Sequence, residues 1–198
     1  GSEMCIRDRP DPDDMHIEDL FHALRFAFLI LTQQKELYVL HSASFLYRGR
    51  AFLVSGSSGT GKSTHSALWH DLYQTPLLNG DLNLLGIRDN IPYAYGLPWC
   101  GTSGICTPKD YPLGGIIFLK QAAIDQVQSL QPDEKVLHIL QRMISPAWTK
   151  ELLLRNLHFS EALAPLIFSC RLYCTKEPSA AGTVSYTHLR AHETGRNL

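Results

Sequence analysis

Eight consecutive residues, Gly56-Ser57-Ser58-Gly59-Thr60-Gly61-Lys62-Ser63, constrain this 198-residue chain more than any other stretch. They satisfy the pattern G-x-x-x-x-G-K-[ST] at every specified position. Gly56, Gly59 and Gly61 let the main chain curl into a nest whose N–H groups point inward, a path that side-chain-bearing residues resist. Such a nest holds clustered oxyanions away from water. A helix starting near Lys62 adds the positive end of its dipole and its unpaired N–H groups. Lys62 brings a mobile cation to the outer phosphates, and the Ser63 hydroxyl is a hard oxygen of the kind Mg²⁺ prefers. The phosphate-binding set is therefore Gly56, Ser57, Ser58, Gly59, Thr60, Gly61, Lys62, Ser63 and the adjoining Thr64. Ser57 and Ser58 read as loop residues, since no base is implied beside them.

The flanking pattern supports a strand–loop–helix unit. Ala51-Phe52-Leu53-Val54-Ser55 is a β-rich run that enters the loop directly. A second such run, 37–45, precedes it across Tyr47-Arg48-Gly49-Arg50, which predicts an antiparallel hairpin. Arg48 and Arg50 read as turn decoration. A helix over 61–73 should set Leu68, Trp69 and Leu72 toward the core before Pro76 stops it. Further strands are predicted over 77–81, 83–87, 91–95, 113–119 and 166–174, with helices over 132–143 and 149–163. Residues 96–111 read as a long loop around Trp99. At the front, Ile17, Leu20, Phe21, Leu24, Phe28 and Leu31 recur at helical spacing and predict a core-facing helix from His16.

Phosphoryl transfer also needs an acid to hold metal or orient the nucleophile. Asp81, closing the run Leu77-Leu78-Asn79-Gly80-Asp81, is the candidate. A strand beside the loop strand would carry its carboxylate to the metal, making Ser63 and Asp81 the metal pair. Asp71 and Asp89 are weaker choices, on a helix surface and in a turn. His41, on the first hairpin strand, stands near the phosphate end if the hairpin forms. His65 and His70 read as structural or solvated. Trp99-Cys100-Gly101 offers either a nucleobase contact or a loop anchor, and Lys109 an acceptor-binding cation.

Composition limits the alternatives. A formal charge of −1 provides no basic face for nucleic acid. The longest apolar run, from Phe26 to Leu31, falls far short of the roughly 20 residues that span a bilayer. Five cysteines at these spacings fit neither a zinc knuckle nor a disulfide framework. With no apolar leader visible, a cytoplasmic protein is expected. Residues 1–9 and 185–198 resemble translated adapter or vector sequence, so the His188–His192 pair receives no metal assignment. The expected division is a non-native or disordered lead-in over 1–15, a folded domain over 16–184 and a non-native tail over 185–198.

Leu40-His41-Ser42-Ala43, a hairpin, then SGSSGTGKST and LLNGD together resemble HPr kinase/phosphorylase and the ATP-dependent phosphoenolpyruvate carboxykinases. The stretch 16–184 is most similar to uncharacterised bacterial kinase-like relatives of HPr kinase, whose Y-x-Y-G-x-P-W-C-G segment is echoed from Tyr93 to Gly101. The resemblance implies an α/β fold, a P-loop nucleotide-binding core on a mixed sheet with flanking helices. It implies ATP and Mg²⁺ as cofactors, with His41, Lys62, Ser63 and Asp81 at the matching positions. It implies an ATP-dependent kinase acting on a hydroxyl of a protein, peptide or small molecule, with oligomers possible in such a family. The alternative is a nucleotide-binding sensor or accessory module without transfer activity. Its basis is Leu82, which follows Asp81 where the resembled families carry a second aspartate, and Asn83 cannot serve as a base.

Overall fold

The computed structural model describes residues 12–99, 103–175, 177 and 179–184. The readings of residues 1–9 and 185–198, with His188 and His192, and of Cys5, Cys100 and Gly101 lie outside the described residues.

The hairpin forms as β1 (Tyr38–Tyr47) and β2 (Arg50–Ser55). Its two turn residues, Arg48 and Gly49, both have positive φ (48° and 75°), the turn geometry that matches the right-handed twist of the strands. β2 lies between β1, antiparallel, and β6 (Tyr111–Gln121), parallel. β8 (Phe168–Cys174) continues parallel to β6, and β7 (Gln126–Ser129) edges the sheet antiparallel to β8. β3 (Leu77–Asn79) pairs with the later part of β1. The first part of β1 pairs with β4 (Leu82–Arg88), β4 with β5 (Ile91–Tyr95), and β5 with the start of β6. The result is one mixed, mostly antiparallel eight-stranded sheet.

Both faces are covered, so the inner strands are apolar on both sides. Leu53, Ile116 and Phe118 pack with Ile139 of α3 (Pro132–Arg142) and Phe159 and Leu163 of α4 (Lys150–Leu163). Phe52, Val54 and Ile117 point the other way, toward Trp69 of α2 (Lys62–Tyr73) and Ala180 and Val184 of α5 (Ser179–Val184). Trp69 is fully buried and stacks on Phe45 at 4.6 Å between centroids. An aromatic of that size contributes roughly 3 kcal/mol when removed from water.

Four features depart from the sequence reading. Helix α1 (Pro12–Gln34) forms, but Ile17, Leu20, Phe21, Leu24 and Leu31 are exposed, and among the residues whose burial is described Leu29, Thr32 and Gln33 are the buried ones. The helix is fastened at its C-terminal end, where the Gln33 side-chain amide donates to Pro146 O and Asn156 Oδ1 at 2.9 and 2.7 Å. Leu72 is exposed, because α2 rests on the sheet through Trp69 and Leu68. Asp81 does not end a strand: β3 stops at Asn79, β4 starts at Leu82, and β3 lies beside β1 rather than beside β2. Finally, β7 and α5 have no counterpart in the sequence reading. β7 is a polar edge strand held by its partner, and α5 is a six-residue helix of small residues fitted against the core. Among the described residues, no helix is long and apolar enough to cross a membrane.

Candidate functional site

Between β2 and α2 the chain bends sharply. Gly59 and Gly61 carry the left-handed torsions, with φ of 75° and 95°. Gly56 serves another purpose: a Cβ there would meet Thr60 Oγ1 at 2.5 Å. The bend is tied internally, since Thr60 donates to Ser57 O from both its backbone N–H (3.3 Å) and its hydroxyl (2.8 Å). Gln121, at the end of β6, donates its amide to Gly59 O at 3.0 Å. Lys62 Nζ leans over the bend toward Gly56 O and Ser57 O, at 3.3 and 3.4 Å. Ser57, Ser58 and Gly59 are exposed at the tip, and Ser63 and Thr64 on the first turn of α2. Gly61→Ala should cost about 1–2 kcal/mol through backbone strain alone, since the nearest atom to an added Cβ is 3.9 Å away. A lowered urea midpoint checks this.

Strand register brings the other residues in. Ser42 pairs with Ser55 on one side of β1, and His41 pairs with Leu82 on the other. His41 therefore stands where the start of the loop and the approach to β4 converge. Ser55 Oγ donates to His41 O at 2.7 Å, and Ser42 N–H donates to Asp81 O at 3.0 Å. The bend carrying Asp81 is built by Asn79, whose Oδ1 accepts from the N–H groups of Asp81 and Leu82 at 2.9 and 3.1 Å. His41 Nε2 and Asp81 Oδ1 end 3.8 Å apart.

Charge at this mouth is unbalanced. Burial lowers the His41 pKa, Lys62 lowers it further, Arg142 and Arg25 add to that, and only Asp81 opposes them. The imidazole is thus mostly neutral at pH 7, and its approach to Asp81 is not an ion pair there. Burial likewise lowers the Lys62 pKa, with Asp81 opposing and Arg142 reinforcing. Three cations, Lys62, Arg142 and Arg25, face His41 together with one carboxylate, Asp81. An excess of positive charge at this mouth suits an anion.

The sequence reading missed Arg142, Gln121 and Asn79. Arg142 ends α3 and reaches across to donate to Ser57 Oγ at 3.2 Å. A basic residue in a last helical turn ordinarily answers the helix dipole, so nothing local marked it. Other candidates separate from the mouth. Trp99 packs on Phe28 at 4.4 Å, and its carbonyl accepts from Asn79 Nδ2, which makes it an anchor. Lys109 borders a small hollow with Asn79, Asn83 and Tyr95. Asn83 is a buried clamp, donating to Ser42 O and Ser42 Oγ. His70 bonds Thr75 O through Nδ1. His65 is buried with neither ring nitrogen bonded to protein, and burial pushes its pKa down to about 4.

Mg²⁺ fits the donor set in one respect. Ser63 and Asp81 are hard oxygen donors, and among the described residues no group of three or more His, Cys, Asp or Glu is arranged to hold a metal. A metal that takes a few protein oxygens and completes its shell with phosphate and water matches that supply.

No family model and no curated protein matches this chain. Among solved structures it is similar to the Hpr(Ser) kinase/phosphatase from Coxiella burnetii, with a TM-score of 0.44 and 11% identity over 81% of this chain and 99% of that one. At that distance the likeness carries no argument about chemistry, which rests on the residues and geometry described above.

Proposed function

We propose that this chain binds a nucleoside triphosphate with Mg²⁺ on the Gly56–Ser63 loop and transfers its terminal phosphate to an acceptor hydroxyl. The observation that carries this reading is the junction of a glycine bend, Lys62, Arg142, Asp81 and His41 at one mouth. Loop N–H groups would hold the phosphates, and Lys62 and Arg142 would offset charge on the transferring group. Bound Mg²⁺, held by Ser63 and Asp81, would neutralise the phosphate oxygens. The acceptor oxygen forms a bond to phosphorus as the bond to the leaving diphosphate breaks, and Asp81 or neutral His41 takes the hydroxyl proton. The acceptor class is a protein, a peptide or a small molecule.

A second reading, nucleotide binding without transfer, is favoured by Leu82. That residue is buried in an apolar cluster, so the bend offers the carboxylate of Asp81 unaccompanied by its neighbour. Thermal unfolding with ATP, GTP or pyrophosphate, each with and without Mg²⁺, tests the shared core. A saturating nucleotide should raise Tm by roughly 5–10 °C. A flat response to all three overturns both readings. Incubation of cell extract with γ-labelled ATP separates them: a labelled acceptor supports transfer, and binding without label supports the sensor.

A further inference from the structure

Helix α1 carries an apolar stripe that the fold leaves exposed. Ile17, Leu24 and Leu31 recur every seventh residue, with Leu20 and Ala27 between them, the a/d spacing of a helix-pairing seam. Ile17, Leu20, Phe21, Leu24 and Leu31 are 47% to 71% exposed, and Ala27 is exposed too. Other side chains fix the helix to the fold. Gln33 bonds Pro146 and Asn156, Phe28 packs on Trp99, and Phe26 stacks on Trp148 at 5.2 Å between centroids. A continuous apolar strip of this kind differs from the single exposed residues normal on a monomer, and marks an interaction surface.

Charge selects the occupant. The sequence sets four acids, Asp13, Asp14, Glu18 and Asp19, before Leu20, and two bases, Arg25 and Lys35, after it, with no acid from 20 to 35. Two such helices running the same way would set acids against acids. Turned end for end, they set acids toward bases, and their dipoles oppose favourably. A two-fold axis at Leu24 also matches side chains: Ile17 of one copy meets Leu31 of the other, Leu20 meets Phe28, and the small Ala27 faces the large Phe21. A lipid surface suits the helix less well. Helices that lie on lipid carry Lys and Arg along the polar face, whereas α1 holds one Arg against four acids. Covering the stripe on two copies removes roughly 1,000 Å² from water, the level at which a specific interface begins. We infer that a second copy of this chain covers the stripe, through antiparallel pairing of the two α1 helices about Leu24. The inference goes beyond the nucleotide reading and does not depend on it.

Light scattering after gel filtration of the full chain tests it. Wild type should be dimeric at about 100 μM, as a micromolar Kd requires. Leu20→Glu with Leu24→Glu alters exposed positions, so the fold should persist by circular dichroism while the dimer weakens about tenfold or more. Ile17→Lys and Leu31→Glu should each weaken the dimer about tenfold. An equimolar mixture of these two variants should recover it. Antiparallel pairing sets the new Lys against the new Glu at one end and keeps Ile17 with Leu31 at the other. Parallel pairing sets each new charge against an unchanged apolar residue and recovers nothing. A monomeric wild type overturns the inference, as does a dimer indifferent to the double substitution or a mixture that recovers no pairing. Nucleotide binding, read separately by thermal unfolding, is untouched by any of these results.

Discussion

Lys62→Ala should reduce phosphate transfer about a thousandfold, the scale seen when one preorganised cation is removed from a developing phosphate charge. Lys62 lies over the bend within 3.3–3.4 Å of two of its carbonyls, so alanine removes a cation at the centre of the site. Part of the loss should appear as weaker nucleotide binding. Asp81→Asn should produce a comparable loss of transfer by a different route. The substitution keeps the bend, because Asn79 holds Asp81 through its backbone N–H. It removes the carboxylate that faces His41 and Lys62. Single-turnover transfer from γ-labelled ATP, with circular dichroism as the check on folding, measures both variants. Wild-type turnover in both would eliminate the kinase reading.

Acid should destabilise the fold through His65. Its folded pKa is about 4 against an ordinary 6.5, because burial disfavours the charged ring more than Asp125 favours it. Between those two values the unfolded chain binds the proton and the folded chain does not. Stability is therefore intact above pH 6.5 and declines as pH falls toward about 4, by on the order of 3 kcal/mol from this residue. His65→Leu cannot titrate and also removes two ring nitrogens that have no partner. It should match or exceed wild type at pH 7 and exceed it by the larger margin at pH 4.5. Urea midpoints of both proteins across this range isolate the effect, since titrating carboxylates are common to both. A gap that does not change with pH would remove His65 as the cause.

Legibility differed from residue to residue. The hairpin was readable because Arg48-Gly49 lies between two β-rich runs and the observed torsions are local. The face of α1 was misread. Its apolar spacing was genuine, yet the helix meets the fold through Gln33 and Leu29 near its end and leaves Ile17, Leu20 and Leu24 in solvent. Periodicity states that a stripe exists; it does not state what covers it. Asp81 was nominated for the wrong reason, as the end of a strand beside β2. It reaches the mouth through the Asn79 turn and the pairing of β1 with β4.

By itself the sequence determined the glycine bend with Lys62 at its exit, because such a bend is a matter of torsions within eight adjacent residues. Tertiary structure alone decided what surrounds it. His41 and Asp81 meet through the registers on the two edges of β1, and Arg142 and Gln121 arrive from α3 and β6. A cavity of about 590 Å³ lies where the parallel ends of β6 and β8 stand beside the bend. Contacts between residues dozens of positions apart depend on strand pairing and helix packing, which no local pattern of residues encodes.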